Sequence, residues 1–292
     1  MTKCESAKSS PNKQREIVAM FDSIAQNYDI ANRILSFGID RKWRKEACER
    51  AIGLCEKDSI DILDIACGTG DMILCWLKVC NSNGNSSLTQ DSGIAENFKN
   101  PSLRESKATE AIHESQIDCH DLAFAKSRND KNINSIYGID PSTEMLKIAQ
   151  QKLPQSVILQ NGEAKDLHID SQSVDILSIA YGLRNVVEID LALKEFHRVL
   201  RKNGILVILE FSKKDNENIF DKIARFYTKR ILPYIGGFIS RNYKAYKYLP
   251  DSVDDFLSLE QIATKLQNLG FSVKFSKRYF CNVCSLIIAK KD

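Results

Sequence analysis

The sequence predicts an α/β fold in which a mostly parallel sheet of seven strands carries helices on both faces, preceded by N-terminal helices. Short, nearly continuous apolar runs recur along the chain as buried strands do, and stretches with helical spacing separate them. From Ile60 onward a strand, a glycine turn and a helix follow one another, which is how a βαβ unit begins.

Residues 1 to 12 read as a disordered polar tail, and residues 13 to 292 as one domain. Between Gln14 and Leu54, apolar residues at helical spacing (Ile17, Met20, Phe21, Ile24, Ala25, Tyr28) predict two or three helices interrupted near Gly38. These form a helical cap over about residues 13 to 55. The first strand is predicted at Ile60 to Ala66, followed by Ser135 to Ile139, Val157 to Gln160, Val174 to Ala180 and Gly204 to Phe211. Helices are predicted at Thr143 to Leu153, Glu188 to Leu200 and Leu259 to Leu269, with final strands at Phe271 to Ser276 and Ser285 to Ala289. One segment breaks the rhythm: about residues 82 to 133 are rich in Asn, Ser, Lys, Asp and Glu and read as a flexible insertion. His113, Cys119 and His120 lie inside it, but with few ordered neighbours expected they are not assigned a metal.

Composition narrows the function classes. Of 292 residues 43% are hydrophobic and 27% charged, and 41 Lys and Arg against 38 Asp and Glu leave a net charge of +3. That balance carries no electrostatic footprint of a nucleic-acid binder. No run approaches the roughly 18 apolar residues of a membrane span. The first thirty residues hold Lys3, Lys8, Lys13 and Arg15 without a long apolar run, which argues against a secretory signal. Nine cysteines, an odd number, read as reduced thiols of a cytosolic protein. Cys281 and Cys284 form the one C-x-x-C, and no second pair or nearby histidine completes a zinc site.

The octapeptide Asp64-Ile65-Ala66-Cys67-Gly68-Thr69-Gly70-Asp71 closes the first strand. Gly68 and Gly70 let the backbone turn tightly and approach a ligand at the carboxyl end of the strand, where open α/β sheets bind ligands. A dinucleotide fingerprint wants a third glycine where Ile73 stands, so the turn suits a nucleoside without phosphates. S-adenosylmethionine is such a ligand. Asp64 is placed to accept from its ammonium or to brace the loop. Asp140, at the end of the second strand, is placed to bind both ribose hydroxyls. It follows Gly70 by 70 residues, but setting aside the 52 from 82 to 133 leaves 18, close to the roughly 20 of a βαβ unit. After the third strand, Asn161-Gly162-Glu163-Ala164 is placed to meet the adenine. Singly these pieces are turn glycines, helix caps or solvated carboxylates; on successive strand ends they make a site.

Further segments carry a resemblance: Phe21-Asp22-Ser23-Ile24-Ala25 with Tyr28-Asp29, Ser36-Phe37-Gly38-Ile39, Asp64 to Asp71, Tyr181-Gly182-Leu183-Arg184-Asn185-Val186, Leu209-Glu210-Phe211-Ser212 and Tyr246-Lys247-Tyr248-Leu249. From about Phe21 to the C-terminus, apart from the insertion, the sequence resembles the UbiE/COQ5 family of quinone C-methyltransferases. The glycine turn alone points to a broad superfamily; the Gly-Leu-Arg-Asn and Leu-Glu-Phe-Ser segments narrow it. The resemblance implies a class I methyltransferase, Rossmann-like fold and cofactor contacts at Thr69, Asp140, Asn161 and Gly162. The family has a serine two residues before the Gly-Leu-Arg-Asn glycine, where this chain has Ala180, so one side-chain hydrogen bond to the cofactor is missing or replaced.

Methyl transfer from sulfonium to carbon is an in-line displacement, in which alignment can supply about 7 to 11 kcal/mol. Holding a phenol of pKa near 10 as its anion at pH 7 asks roughly 4 kcal/mol more of the site. Arg184, with Asn185 as an orienting donor, is the candidate for that role. Glu210 could accept the hydroxyl proton or pair with a lysine. Tyr28, Tyr181, Tyr243 and Tyr246 are candidates for ring packing or proton relay, and ordinary core packing explains them too. The N-terminal helices with Phe37 and Trp43, and the apolar segment Ile231 to Ile239, could wall an isoprenoid groove. Lys213, Lys214, Lys222, Arg225, Lys229 and Arg230 could meet anionic lipid beside it. The expected partners are therefore a prenylated quinol, most directly demethylmenaquinol, with peripheral contact at the inner face of the cell membrane, no nucleic acid, and a homodimer as a further option. Methylation of a polyprenyl-methoxybenzoquinol stays open. So does an RNA methyltransferase using the basic and aromatic run Arg241 to Tyr248, and so does a module that binds the cofactor without turnover.

Overall fold

The computed structural model describes residues 10–36, 38–81, 131–212, 248, 251–279 and 284–292. Phe37, Tyr243, Tyr246, the basic cluster from Lys213 to Arg230, the segment 231–239, Cys281 and nearly all of the expected insertion lie outside these residues.

Two helices lead the chain, α1 (Ser10–Leu35) and α2 (Ile39–Leu54), and the break between them falls at Gly38 in the left-handed region, φ 73°. That matches the predicted interruption. α1 begins at Ser10, inside the stretch expected to be tail. Ser10-Pro11 is itself a helix start, since proline's fixed φ suits the first turn and its missing N–H is not needed there.

The α/β body follows: β1 (Ser59–Ile65), α3 (Asp71–Asn81), β2 (Asn132–Asp140), α4 (Thr143–Lys152), β3 (Ile158–Asn161), β4 (Val174–Ala180), a 3₁₀ turn (Leu183–Asn185), α5 (Ile189–Val199), β5 (Leu200–Phe211), α6 (Leu259–Asn268), β6 (Phe271–Arg278) and β7 (Cys284–Lys291). Among the described residues these strands form one seven-stranded sheet in the order β3-β2-β1-β4-β5-β7-β6, with β7 antiparallel to both neighbours. The order reverses beside β1, and β1 pairs in parallel with both β2 and β4. Ligands bind at such a switch point in open α/β sheets.

Two strand starts differ from expectation by more than one residue. β2 starts at Asn132, inside the expected insertion, because Asn132 N donates to Asp58 O at 2.8 Å and opens the ladder with β1. Its first residues are exposed or half-buried, so their polar character hides a strand. β5 starts at Leu200, whose buried side chain pairs with Val174 across a register shift.

Two apolar layers sandwich the sheet. On one side α2 and α3 bury Ile52, Ile73 and Trp76; on the other α5 and α6 bury Phe196 and Leu266. Each such side chain contributes about 1.5 to 3 kcal/mol. Ile73, standing where a dinucleotide fold would have its third glycine, is fully buried and serves this packing. Within the first layer Trp76 Nε1 donates to Ser178 Oγ at 3.0 Å, and Ser178 Oγ donates to Asp64 Oδ1 at 2.6 Å. Asp64 is thus a brace between β1 and β4. Burial pushes its carboxyl up to about 7, against the Ser178 hydrogen bond.

Candidate functional site

The carboxyl ends of β1 to β4 open onto a cleft enclosing about 790 Å³ with its mouth included, and α1 forms its opposite wall. Ala66 and Gly68 come from β1, Asp140, Pro141 and Ser142 from β2, Gly162 and Glu163 from β3, and Ala180, Tyr181, Gly182 and Asn185 from β4. α1 contributes Gln14, Ile17, Val18, Phe21 and Tyr28.

Local backbone shapes this cleft. Gly68 and Gly70 have φ of 55° and 87°, as the sequence expects of the turn. Two residues without that freedom join them: Ala66 at φ 52° and Tyr181 at φ 61°. Such conformations persist where the surroundings over-determine them, and they concentrate at functional sites. Gly182 is demanded by close approach, since a Cβ there would stand 2.4 Å from Ala66 Cβ. The tips of β1 and β4 are therefore pressed together under the cleft.

Asp140 is the best placed of the expected cofactor residues. It is 6% exposed, Gly68 N donates to its Oδ2 at 2.8 Å, and Ser142 N donates to its Oδ1 at 2.8 Å. One carboxylate joins the glycine turn to the start of α4. Burial pushes it up to about 6, against the two backbone hydrogen bonds. Gly162 and Ala180 also reach the cleft. Asn161 stands behind it, where Nδ2 donates to Asp140 O at 3.1 Å and Pro141 O at 2.9 Å. Thr69 faces α1 instead: its Oγ1 donates to Asp29 Oδ1 at 2.5 Å and the residue is 3% exposed. Gly70 supports the turn from behind, its N donating to Cys67 O at 2.9 Å.

The three expected chemical residues meet beside this cleft. Arg184 and Glu210 form one buried ion pair, with side chains 4% and 1% exposed. The partner of Glu210 is this arginine, not a lysine. Glu210 also accepts from Arg184 N at 3.1 Å and from Phe211 N at 2.8 Å, so its oxygens are engaged. Arg184 Nη1 donates to Tyr181 O at 2.7 Å, while its Nε is buried without a partner among the described residues. A buried guanidinium donor left unpaired is the kind of exception that a ligand explains. Asn185 lines the cleft and accepts at Oδ1 from Tyr248 OH at 3.2 Å. Burial pushes the Tyr28 phenol up, with the Arg184 guanidinium opposing. Tyr181 stacks on Phe211 with centroids 5.0 Å apart, and the Arg44 guanidinium lies 4.9 Å from its ring centroid.

Sequence reasoning placed the N-terminal helices as a cap with Tyr28 at the site, but missed Gln14, Ile17, Val18 and Phe21 of α1 as cleft lining and the strain at Ala66 and Tyr181. For α1, the signal was Asp22 and Asp29 on an otherwise apolar stripe with Ile17, Phe21 and Tyr28. Asp22 Oδ1 accepts from Ser142 Oγ at 2.6 Å and so seats α1 on the N-cap of α4. The strained pair left no signal in residue type.

Comparison with known proteins agrees with this geometry. The ubiE/COQ5 methyltransferase family matches residues 8–291. The ubiquinone/menaquinone biosynthesis C-methyltransferase UbiE of Campylobacter jejuni is 43% identical over 279 residues, covering 96% of this chain and 99% of the relative. The demethylmenaquinone methyltransferase of Thermotoga maritima is 31% identical over 267 residues, 91% of this chain and 93% of that one. In fold, the chain is similar to a Haloferax volcanii methyltransferase solved with its Trm112 activator, at a TM-score of 0.53 and 13% identity over 92% of this chain and 96% of that one. With sequence match, strand order and cleft in agreement, the chain belongs to the ubiE/COQ5 methyltransferase family.

Proposed function

We propose that this enzyme moves the methyl group of S-adenosylmethionine to a ring carbon of a prenylated quinol, with demethylmenaquinol as the substrate. The observation that carries this reading is the convergence of Gly68, Asp140, Gly162 and Ala180, from four successive strand tips, on one cleft. The residues present fit the nucleoside: a carboxylate for its ribose hydroxyls, glycine backbone for close approach, and apolar Ile17, Ile65 and Met145 for its base. When bound, the cofactor supplies an electrophilic methyl group. Asp140 orients the nucleoside, α1 excludes water, and Asn185 and Tyr28 bound the space where a ring would lie. Arg184, held by Glu210, offers its unpaired Nε and positive charge to a ring oxygen that must become electron-rich.

Menaquinone is favoured over ubiquinone because both relatives described above carry it in their names, whereas ubiquinone appears in one of them. The isoprenoid tail makes peripheral contact with a membrane part of this proposal; among the described residues no helix is long and apolar enough to cross one. The purified enzyme, given the cofactor and either demethylmenaquinol or a polyprenyl-methoxybenzoquinol, is expected to add about 14 mass units, one methylene, to the naphthoquinol faster. Methyl transfer to the benzoquinol alone would reassign the substrate. Transfer to RNA and to neither quinol would overturn the proposal.

A further inference from the structure

α1 is seated by polar contacts at three points. Gln14 Oε1 accepts from Val187 N at 3.2 Å, and Asp22 Oδ1 accepts from Ser142 Oγ at 2.6 Å. The third point is a charged knot. Asp29 Oδ2 accepts from Lys152 Nζ at 2.6 Å, and Asp29 Oδ1 accepts from Thr69 Oγ1 at 2.5 Å. Lys152 Nζ also donates to Asp71 Oδ1 at 2.8 Å and to Thr69 Oγ1 at 3.2 Å. Arg33, one turn beyond Asp29, stands 4.0 Å from Asp71.

One lysine at the end of α4 therefore ties α1 to the glycine turn and to the start of α3. Without it, Asp29 and Asp71 would face each other across Thr69 with Arg33, 4.0 Å from Asp71, as the nearest remaining cation. The side chains of Lys152, Asp29 and Asp71 are 26%, 27% and 24% exposed, so salt weakens the knot without abolishing it. Neither Lys152 nor Asp29 lines the cleft, whereas Tyr28, the neighbour of Asp29, does. The pair therefore acts on a bound ligand through the position of α1 and of the glycine turn that carries Thr69.

We propose that Asp29 and Lys152 are positioning residues for methyl transfer: they clasp α1, and with it Tyr28, onto the glycine turn, and opening of the clasp sets how fast the cofactor product leaves. The inference rests on the cleft being the S-adenosylmethionine site. A nucleoside lying along the strand tips is walled by α1 on its open side, so loosening the helix shortens its stay.

The test is the release rate of S-adenosylhomocysteine from the full chain, followed by stopped-flow displacement at low and high salt. Asp29→Asn and Lys152→Met are each expected to raise the rate about three- to tenfold, the scale of a partly exposed ion-pair network. The double variant should release no faster than the faster single one, because both changes open the same clasp. Added salt should speed release from the wild type and barely affect the variants, and Lys152→Arg should restore most of the wild-type rate. Lower thermal stability with unchanged release would mean that the knot only supports the fold, and would overturn the proposal; so would equal salt dependence in all forms. A wild type that binds no S-adenosylhomocysteine would instead refute the cofactor site itself.

Discussion

Replacing Arg184 by methionine is expected to lower kcat about 100- to 1,000-fold and to destabilise the protein by about 3 to 5 kcal/mol. The two effects have different origins. The stability loss arises because Glu210, 1% exposed on its side chain, would be left buried with no cation beside it. The rate loss is expected on the proposed mechanism, in which the unpaired Nε and the positive charge act on a ring oxygen; methionine supplies neither. A double variant, Arg184→Met with Glu210→Gln, separates them. It removes both charges, while the amide oxygen left at position 210 can still accept from one of the two backbone N–H groups that Glu210 serves. Buried ion pairs replaced as a unit cost little stability, so melting temperature should largely recover while kcat stays low. A stable double variant with wild-type turnover would show the pair to be structural and nothing more.

Asp140→Asn is expected to weaken S-adenosylhomocysteine binding about 30- to 200-fold, which is about 2 to 3 kcal/mol. The carboxylate already takes one backbone N–H on each oxygen. An amide keeps one acceptor, so either the Gly68 or the Ser142 N–H loses its partner and the ribose loses a charged one. Because burial raises the Asp140 carboxyl to about 6, its pH dependence has a definite sign. The anion is the binding form, so wild-type affinity should hold above pH 6 and fall as pH drops through that value, and Asp140→Asn should flatten this fall. Calorimetric titration between about pH 5 and about pH 8 reads both effects.

Much of this fold is legible in the sequence for a physical reason. A parallel sheet covered on both faces makes its strands continuous apolar runs, and β1 and β4, buried almost end to end, stand where Ile60 and Val174 open such runs. Where strands are exposed the signal fades: the polar start of β2 reads as insertion. At the site, Asp140 and Gly68 were legible because each sits at a strand tip with a recognisable turn. The Arg184–Glu210 pair was half legible. Each residue could be placed at the end of its own strand, but that β4 and β5 are neighbours is a property of the sheet order, not of either segment. Thr69 shows the limit of carrying over a motif, since residue type does not say that its hydroxyl faces Asp29 across 40 positions of chain.

The most direct test of the central claim is a crystal structure of the enzyme with S-adenosylhomocysteine. The ribose hydroxyls are expected on the Asp140 carboxylate, the base between α1 and the tip of β3, and the sulfur directed toward Tyr28 and Asn185. A nucleoside bound elsewhere, or lying in this cleft with its ribose turned away from Asp140, would contradict the account.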